Sequence, residues 1–153
     1  MYTRRDVNPK TISILKSHDV EVVYTIYIAD WLMMFARFYP VENPNNLYFI
    51  SRDTDCRPSV REDAAISQWL NSNKSLHIIR DHVFHNTKIL GGLWGLQNNN
   101  IRNIRFMIME WGIKYINKMN LSGPDQHFLN DVYNIFTNDK YVNDEFHKYE
   151  KEK

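Results

Sequence analysis

The chain has 153 residues, the size of a single domain with its own hydrophobic core. Its formal net charge of +1 excludes a general attraction to nucleic acid or anionic membranes, and no apolar run reaches the roughly 18 residues of a membrane-spanning helix. The single cysteine, Cys56, excludes an intrachain disulfide and fits a reducing, cytoplasmic compartment. We therefore expect one soluble domain over residues 1–153, with a charged and frayed tail at 147–153.

The first third of the chain predicts alternating helices and strands. Residues 9–17 carry apolar side chains at helical spacing, whereas residues 20–28 are almost all β-branched or aromatic, as in a buried strand. Residues 30–39 predict a helix with an acidic N-cap that ends before a proline. Arg37 is a lone charge among the apolar residues of this helix, so its side chain either reaches solvent or points at a ligand. No convincing strand precedes the first helix.

An acidic pair follows the next strand. Residues 47–52 are rich in β-formers, and Asp53 and Asp55 come directly after them. Ligands of α/β sheets bind outside the carboxyl ends of the strands, where alternate carboxylates suit Mg²⁺ or Mn²⁺ shared with a phosphate. The alternative is an ordinary turn, in which Asp side chains hydrogen-bond their own backbone. Nearby side chains with the planar donor fork that grips a diphosphate are Arg52, Arg57 and Arg61.

The second half of the chain predicts three more helices and one more strand. Residues 59–70 begin with a capping-box pattern, and residues 101–118 carry an apolar stripe. A further helix has Asp125 in its first turn, where the helix dipole alone would favour a carboxylate. Residues 76–81 predict a short strand. The polar residues that its end would bring to the crevice of the acidic pair are Arg80, Asp81, His82 and His85, too few for a complete zinc ligand set.

Three of the five glycines fall within residues 89–95, Ile-Leu-Gly-Gly-Leu-Trp-Gly. Glycine allows close approach of the backbone, so this segment is either a tight bend against the sheet or a floor for a flat substrate. The segment lacks the Gly-x-Gly-x-x-Gly and Gly-Lys-Ser patterns of nucleotide-binding loops.

These segments form one ordered series: Arg-Asp-Thr-Asp-Cys-Arg at 52–57, His-Ile-Ile-Arg-Asp-His at 77–82, the glycine-rich residues 89–95, and Asp-Gln-x-Phe-Leu at 125–129. The series resembles small glycosyltransferase-type domains of the GT-A fold from bacterial polysaccharide clusters and large DNA viruses, similar in layout to the family that includes glycogenin. The likeness covers about residues 31–146. It implies a three-layer α/β/α domain with a mixed, mostly parallel sheet.

The resemblance implies a metal site. Asp53 and Asp55 match the family's Asp-x-Asp, which holds Mn²⁺ or Mg²⁺ on the diphosphate of a nucleotide-sugar. Asn143 stands where the family usually has a His as the third ligand. This is a departure, because an amide oxygen binds a hard cation more weakly.

The resemblance also implies catalytic and donor-binding residues. Asp125 and Gln126 match the pair near the anomeric carbon, and Asp81 matches part of the region that grips the donor sugar. We therefore expect these three side chains to be catalytic, by orienting groups or by stabilising positive charge on the sugar. The residues expected to bind the donor are Arg37, Arg52, Arg57, Arg80, Gly91, Gly92 and Trp94.

The family's N-terminal strands, which cradle the base and ribose, are expected to be missing, so that the base site is either supplied by a second copy or a partner chain, or is absent or lost. The predicted function is metal-dependent hexosyl or deoxyhexosyl transfer from a nucleotide-sugar to a glycan or protein acceptor, in the cytoplasm or, for a viral protein, the host cytoplasm. The alternative is a non-catalytic binding or partner module that has lost donor turnover. Metal-dependent phosphoester hydrolysis would need more acidic or His ligands, and no nucleic-acid partner is expected.

Overall fold

The computed structural model describes residues 1–25, 30–97, 100–115, 123–147 and 149–150. Five α-helices, one 3₁₀-helix and six strands are present in these ranges. In chain order they are β1 (Tyr2–Thr3), α1 (Pro9–Ser17), β2 (Val23–Tyr24), α2 (Asp30–Phe35), the 3₁₀-helix (Ala36–Glu42), β3 (Tyr48–Arg52), α3 (Val60–Leu70), β4 (Leu76–Arg80), β5 (Leu93–Gln97), α4 (Ile104–Tyr115), α5 (Pro124–Ile135) and β6 (Lys140–Asp144). Among the helices so described, none has the length and apolar character needed to cross a membrane.

The main sheet has four strands in the order β3-β5-β4-β6. Strands β3, β4 and β6 run in one direction, and β5 runs in the other. The predicted α/β class and the mixed sheet are therefore confirmed. The expectation of a mostly parallel sheet holds for strand direction but not for pairing, because β5 lies between β3 and β4 and leaves β4–β6 as the one parallel pair of this sheet.

Strand β5 was not predicted, because the sequence analysis treated the glycine-rich segment as a bend or a floor. Gly91 and Gly92 precede the strand, and Gly95 lies inside it. A Cβ atom at Gly95 would lie 3.0 Å from the indole ring of Trp69 on α3, so the glycine marks a close approach of the helix to the sheet. Strand β6 was also missed, since its half-buried residues show no apolar alternation.

The N-terminal elements differ from the prediction. A strand does precede the first helix, because β1 and β2 form a short parallel pair. Of the predicted strand at 20–28, Val23 and Tyr24 are in β2, and positions 26–28 lie outside the described residues. Helix α2 continues as the 3₁₀-helix through Pro40 instead of ending before it. The predicted N-cap side chain at position 30 and the end of the predicted helix at 116–118 also lie outside the description.

Helices cover both faces of the sheet, as a three-layer α/β/α arrangement requires. On one face, an aromatic cluster joins the sheet to α2, the 3₁₀-helix, α4 and α5. The ring of Phe38 lies 5.4 Å from that of Trp94, and Phe35 lies 5.8 Å from Trp111. On the other face, the ring of Trp69 on α3 stacks on the ring of His77 on β4, with the ring centres 5.0 Å apart. The core therefore fixes where the ends of the strands lie.

The predicted helix start at α3 is confirmed. The hydroxyl of Ser59 accepts a hydrogen bond from the backbone N–H of Glu62 at 3.2 Å, as in an N-cap. The carboxylate of Glu62 pairs with Arg52 of β3. The helix is thereby joined to the end of the strand that precedes the acidic pair.

A buried arginine on β4, Arg80, links Glu150 to the sheet. Arg80 is 0% exposed, and its guanidinium lies 2.8 Å from a carboxylate oxygen of Asp144 and 2.6 and 2.8 Å from the two of Glu150. It also donates two hydrogen bonds to the carbonyl oxygen of Lys88. The hydroxyl of Tyr133 donates to Glu150 at 2.8 Å. Burying a charge requires such a complete set of partners.

Two residues of the expected tail, Tyr149 and Glu150, contact the rest of the domain. The ring of Tyr149 lies 4.9 Å from the guanidinium of Arg80, and its hydroxyl donates to the side chain of Asn86. Glu150 completes this contact through its bonds to Arg80. Positions 148 and 151–153 lie outside the described residues.

This network shifts the pKa values of its members. Burial alone would raise the pKa of Glu150, but hydrogen bonds from Arg80 and Tyr133 outweigh it and lower that pKa below its ordinary value. Burial would also raise the pKa of Asp144, but hydrogen bonds from the backbone of His147 and Phe146 and from Arg80 outweigh it and lower that pKa. Burial and then the bond to Glu150 raise the pKa of Tyr133 to about 12. The carboxylates are therefore charged in the folded state over the neutral range.

Replacing Glu150 with Gln should lower the free energy of unfolding at neutral pH by about 2 kcal/mol, because the change weakens hydrogen bonds to a charged partner. Since the pKa of Glu150 is lowered in the folded state, its contribution is present above the ordinary carboxyl pKa and is lost as pH falls through the folded-state value. Urea unfolding followed from neutral to acidic pH should show wild type and E150Q converging at acidic pH.

The control is E145Q, which removes the same charge from an exposed residue. Glu145 pairs with Arg61 at 2.9 Å, and both side chains are about half exposed. Exposed ion pairs contribute little to stability, so E145Q should have the smaller effect. Equal losses in the two variants would contradict the role given to Glu150.

Candidate functional site

A cleft of about 280 Å³ lies at the edge of the sheet where β3 ends and β5 begins. Strands β3, β4 and β6 run in one direction, so their carboxyl ends meet at this edge. Five segments of the chain line the cleft: the 3₁₀-helix, the loop after β3, the loop after β4, the glycine-rich turn before β5 and the start of α5. This is the position at which α/β sheets bind ligands.

Arg37 bridges two carboxylates in the cleft. Its Nη1 lies 2.5 Å from Oδ1 of Asp53, and its Nη2 lies 2.8 Å from Oδ2 of Asp125. Its Nε donates to the carbonyl oxygen of Met34 at 3.3 Å. The side chain of Arg37 is 35% exposed, whereas that of Asp125 is 5% exposed. Arg37 is therefore a partly exposed side chain that pairs with two carboxylates, and its binding of a ligand stays a prediction.

Gln126 and Ser51 fix the glycine-rich turn. Oε1 of Gln126 accepts a hydrogen bond from the backbone N–H of Gly91 at 3.0 Å, and Nε2 donates to the carbonyl oxygen of Ile89. The hydroxyl of Ser51 donates to the carbonyl oxygen of Gly91 at 2.6 Å. Both ends of the Gln126 amide are thus bonded to backbone, which makes Gln126 a positioning residue for the turn. Sequence reasoning missed Ser51, whose one signal is a hydroxyl in a run of β-formers.

The two adjacent glycines face the charged groups of the cleft. A Cβ atom at Gly92 would overlap the carboxylate of Asp53, whereas a Cβ atom at Gly91 would lie 3.5 Å from Arg37 and from Asp125. The backbone therefore approaches Asp53 as closely as only a glycine permits. Residues 91 and 92 form a bend that is bonded to β3 and lines the cleft, and a role as the floor for a flat substrate stays a prediction.

The residues predicted to hold a metal ion do not come together. Asp53 lies in the cleft, where Arg37 neutralises it. Asp55 is exposed, and its carboxylate is near enough to the thiol of Cys56 to raise the pKa of that thiol. Asn143 lies on β6, with Oδ1 2.9 Å from Nε2 of His77 and its amide nitrogen donating to Gln68. In the described ranges, no group of three His, Cys, Asp or Glu side chains is arranged to hold a metal ion.

These contacts do not fit the Mn²⁺ or Mg²⁺ site that the resemblance implies. Such ions need several oxygen ligands that converge with free lone pairs. The carboxylate of Asp53 is paired with the guanidinium of Arg37. Both ends of the Asn143 amide are hydrogen-bonded to other side chains. The donor set is therefore not assembled by these residues as they are placed here.

The predicted donor-binding residues are dispersed. Arg52 pairs with Glu62, and Arg57 is exposed in the loop after β3. Arg80 lies inside the domain in the network with Asp144 and Glu150. Trp94 is 1% exposed and packs in the aromatic core. Arg37, Gly91 and Gly92 are the predicted donor-binding residues that line the cleft.

Asp81 lies beside His85 at the end of β4. Their nearest atoms, Oδ1 of Asp81 and Nδ1 of His85, are 2.9 Å apart. His85 lines the cleft, whereas Asp81 lines a neighbouring cleft beside α3. The predicted catalytic residue Asp81 can therefore reach the cleft through His85.

Cys56 also lines the cleft, but its chemistry is that of a protonated thiol. Loss of hydration, followed by the nearby carboxylate of Asp55, raises the pKa of the Cys56 thiol. A thiol with a raised pKa is a poor nucleophile at neutral pH. Covalent catalysis through this cysteine is not favoured.

A second cleft, of about 410 Å³, lies between α3 and the ends of β4 and β6. Gln68 and Asn143 line it, and His77 lies beneath them against the ring of Trp69. Burial lowers the pKa of His77 and outweighs the opposing hydrogen bond to Asn143, so this imidazole is neutral at neutral pH. The side chains of His77, Asn143 and Gln68 thus form a hydrogen-bonded series. No signal for it was found in the sequence.

Comparison of the chain with protein-family models, with curated proteins and with solved structures gave no match. The function of the cleft is therefore argued from its own contacts.

Replacing Gly92 with Ala should displace the Asp53 carboxylate from Arg37, because the new methyl group would occupy its position. The free energy of unfolding should change by less than about 1 kcal/mol, since Asp53 is half exposed and its carboxylate can turn towards solvent. G91A is the matched control, because its methyl group would meet only ordinary contacts. Crystal structures of both variants would test this, and an unmoved Asp53 in G92A would contradict it.

Proposed function

We propose that this cleft is the sugar site of a glycosyltransferase-type domain, which transfers a sugar from a nucleotide-diphosphate donor to a glycan or protein acceptor. One observation carries the proposal. Arg37 and Asp125 are 88 positions apart in the sequence, yet their side chains meet at 2.8 Å over the glycine-rich turn at the carboxyl edge of the sheet. The segments that carry the resemblance at 52–57, 89–95 and 125–129 are thereby represented in a single site.

The chemistry of the cleft suits sugar hydroxyl groups. Carboxylates accept hydrogen bonds and a guanidinium donates them, so Asp53, Arg37 and Asp125 form a row of acceptor, donor and acceptor. Arg37 bonds one oxygen of each carboxylate. Each carboxylate retains further acceptor capacity, because a carboxylate has about four lone-pair sites. Vicinal hydroxyl groups of a sugar ring are the ligand groups that match this row.

The size of the cleft supports the same ligand class. Its volume of about 280 Å³ is at the lower end of the range for small-molecule sites, roughly 300 to 1,000 Å³. One sugar ring is therefore a better match than a whole nucleotide-sugar. The base and ribose would lie outside the cleft, which agrees with the expectation that another chain segment or partner completes the base site.

Transfer would develop positive charge on the sugar and negative charge on the departing diphosphate. Asp125 is the carboxylate best placed to stabilise the sugar, because it is nearly buried and Arg37 holds its orientation. Arg57 is exposed in the loop after β3 and would meet the diphosphate at the rim. His85, beside Asp81, would orient the acceptor hydroxyl group from the β4 side.

A second candidate function uses the same cleft without turnover. A non-catalytic sugar-binding or partner module is favoured by the separation of the predicted metal ligands, since Asn143 is held by His77 and Gln68. Binding of a sugar would then be the whole activity of the domain. The two candidates differ in whether product forms, and not in where the sugar binds.

The test is isothermal titration with nucleotide-sugars of different sugar and base, combined with an assay for released nucleoside diphosphate. D125N should weaken binding about tenfold or more, because a charged acceptor is lost from the site. D131N is the control on the same helix, since Asp131 is exposed and does not line the cleft. Circular dichroism would check that both variants are folded.

The outcomes separate the candidates. Binding with product release supports the transferase, and binding without product supports the binding module. Equal affinities of D125N and D131N for the donor would contradict the placement of the sugar site. A wild-type chain that binds no nucleotide-sugar and no free sugar would overturn both candidates.

A further inference from the structure

We propose that Arg37 is the resident cation of this cleft, placed between Asp53 and Asp125, and that the cleft binds its ligand without a divalent metal ion. The resemblance implies a metal ion at Asp53, and the contacts of the described residues do not fit one. The guanidinium occupies the space between the two carboxylates that a shared ion would need. The inference concerns cation binding and does not depend on sugar transfer.

The guanidinium is held at all three of its nitrogen atoms. Nη1 and Nη2 each bond a different carboxylate, and Nε bonds the backbone of Met34. The ring of Phe38 lies 5.8 Å from the guanidinium carbon. Each nitrogen of the planar fork therefore has a hydrogen-bond partner, which fixes the plane of the guanidinium in the site. Arg37 is thus positioned as a structural counter-ion between the 3₁₀-helix, the loop after β3 and the start of α5.

The net charge of the three side chains is the reason that a divalent metal ion is excluded from this place. Arg37, Asp53 and Asp125 together carry a net charge of −1, whereas the two carboxylates without the arginine would carry −2. A divalent ion at the same place would also be repelled by the guanidinium, and repulsion is strong where water is partly excluded.

The alternative is that Arg37 swings away and a metal ion replaces it when a ligand binds. That arrangement would break two ion pairs and the bond to Met34. It would also need further oxygen ligands, whereas Asp55 does not line the cleft and the amide of Asn143 bonds Gln68. The two arrangements predict opposite results for Mn²⁺ binding by the wild-type chain.

The experiment measures Mn²⁺ binding to the full chain by electron paramagnetic resonance, with no other ligand present. Wild type should show no Mn²⁺ site that depends on Asp53. R37M should gain one, with an affinity about tenfold or more above any wild-type binding, because two facing carboxylates lose their counter-ion. The double variant R37M/D125N should lose this site again.

R37K is the control that keeps the charge, and it should exclude Mn²⁺ as wild type does. If R37M does not fold, the comparison of wild type with D53N still tests the inference. A wild-type Mn²⁺ site that D53N removes would overturn it. A folded R37M that gains no site would overturn it as well, because something other than Arg37 would then exclude the ion.

A second measurement separates this inference from the proposed function. Nucleotide-sugar affinity of the wild type should be the same in the presence of a chelator and of Mn²⁺. An affinity that rises with Mn²⁺ would overturn the role of Arg37 and leave the sugar site intact. Failure to bind any nucleotide-sugar would overturn the proposed function, while the Mn²⁺ measurements on wild type and R37M would still decide the role of Arg37.

Discussion

One guanidinium shared by two carboxylates joins three segments at the carboxyl edge of the sheet. Arg37 reaches Asp53 after β3 and Asp125 at the start of α5, and these elements pack on different parts of the sheet. The glycine-rich turn then lies against the same three side chains, with Gly92 under Asp53 and Gly91 under the other two. Every group assigned to the cleft depends on this arrangement, because without it two like charges would face one another across a small space.

Two arginines of this edge have opposite roles, and burial decides which is which. Arg80 is fully buried, and its bonds to Asp144, Glu150 and the Lys88 carbonyl use its whole donor fork inside the domain. Arg37 makes similar ion pairs but remains one-third exposed at the mouth of a cleft. A buried fork stabilises the fold around it, whereas an exposed one keeps hydrogen-bonding groups within reach of a ligand.

The glycine-rich segment shows why the sequence left part of the fold open. A glycine inside a strand weakens the strand signal, so β5 was hidden by Gly95. The reason for that glycine is the ring of Trp69, which lies 26 positions earlier and comes from another layer. By contrast, the N-cap at Ser59 was found from the sequence, because capping needs only the next three residues.

The sequence by itself determined the α/β class, most of the helices, and the gathering of charged residues at the ends of β3 and β4, because periodicity and strand ends are local properties of the chain. Only the tertiary structure decided how those charges pair. Arg37 meets Asp125 across 88 positions, and Arg80 meets Glu150 across 70. No local pattern specifies such partners, since an ion pair forms between whichever charges the packed core brings within reach. For that reason only the structure shows that Asp53 and Asn143 line different clefts.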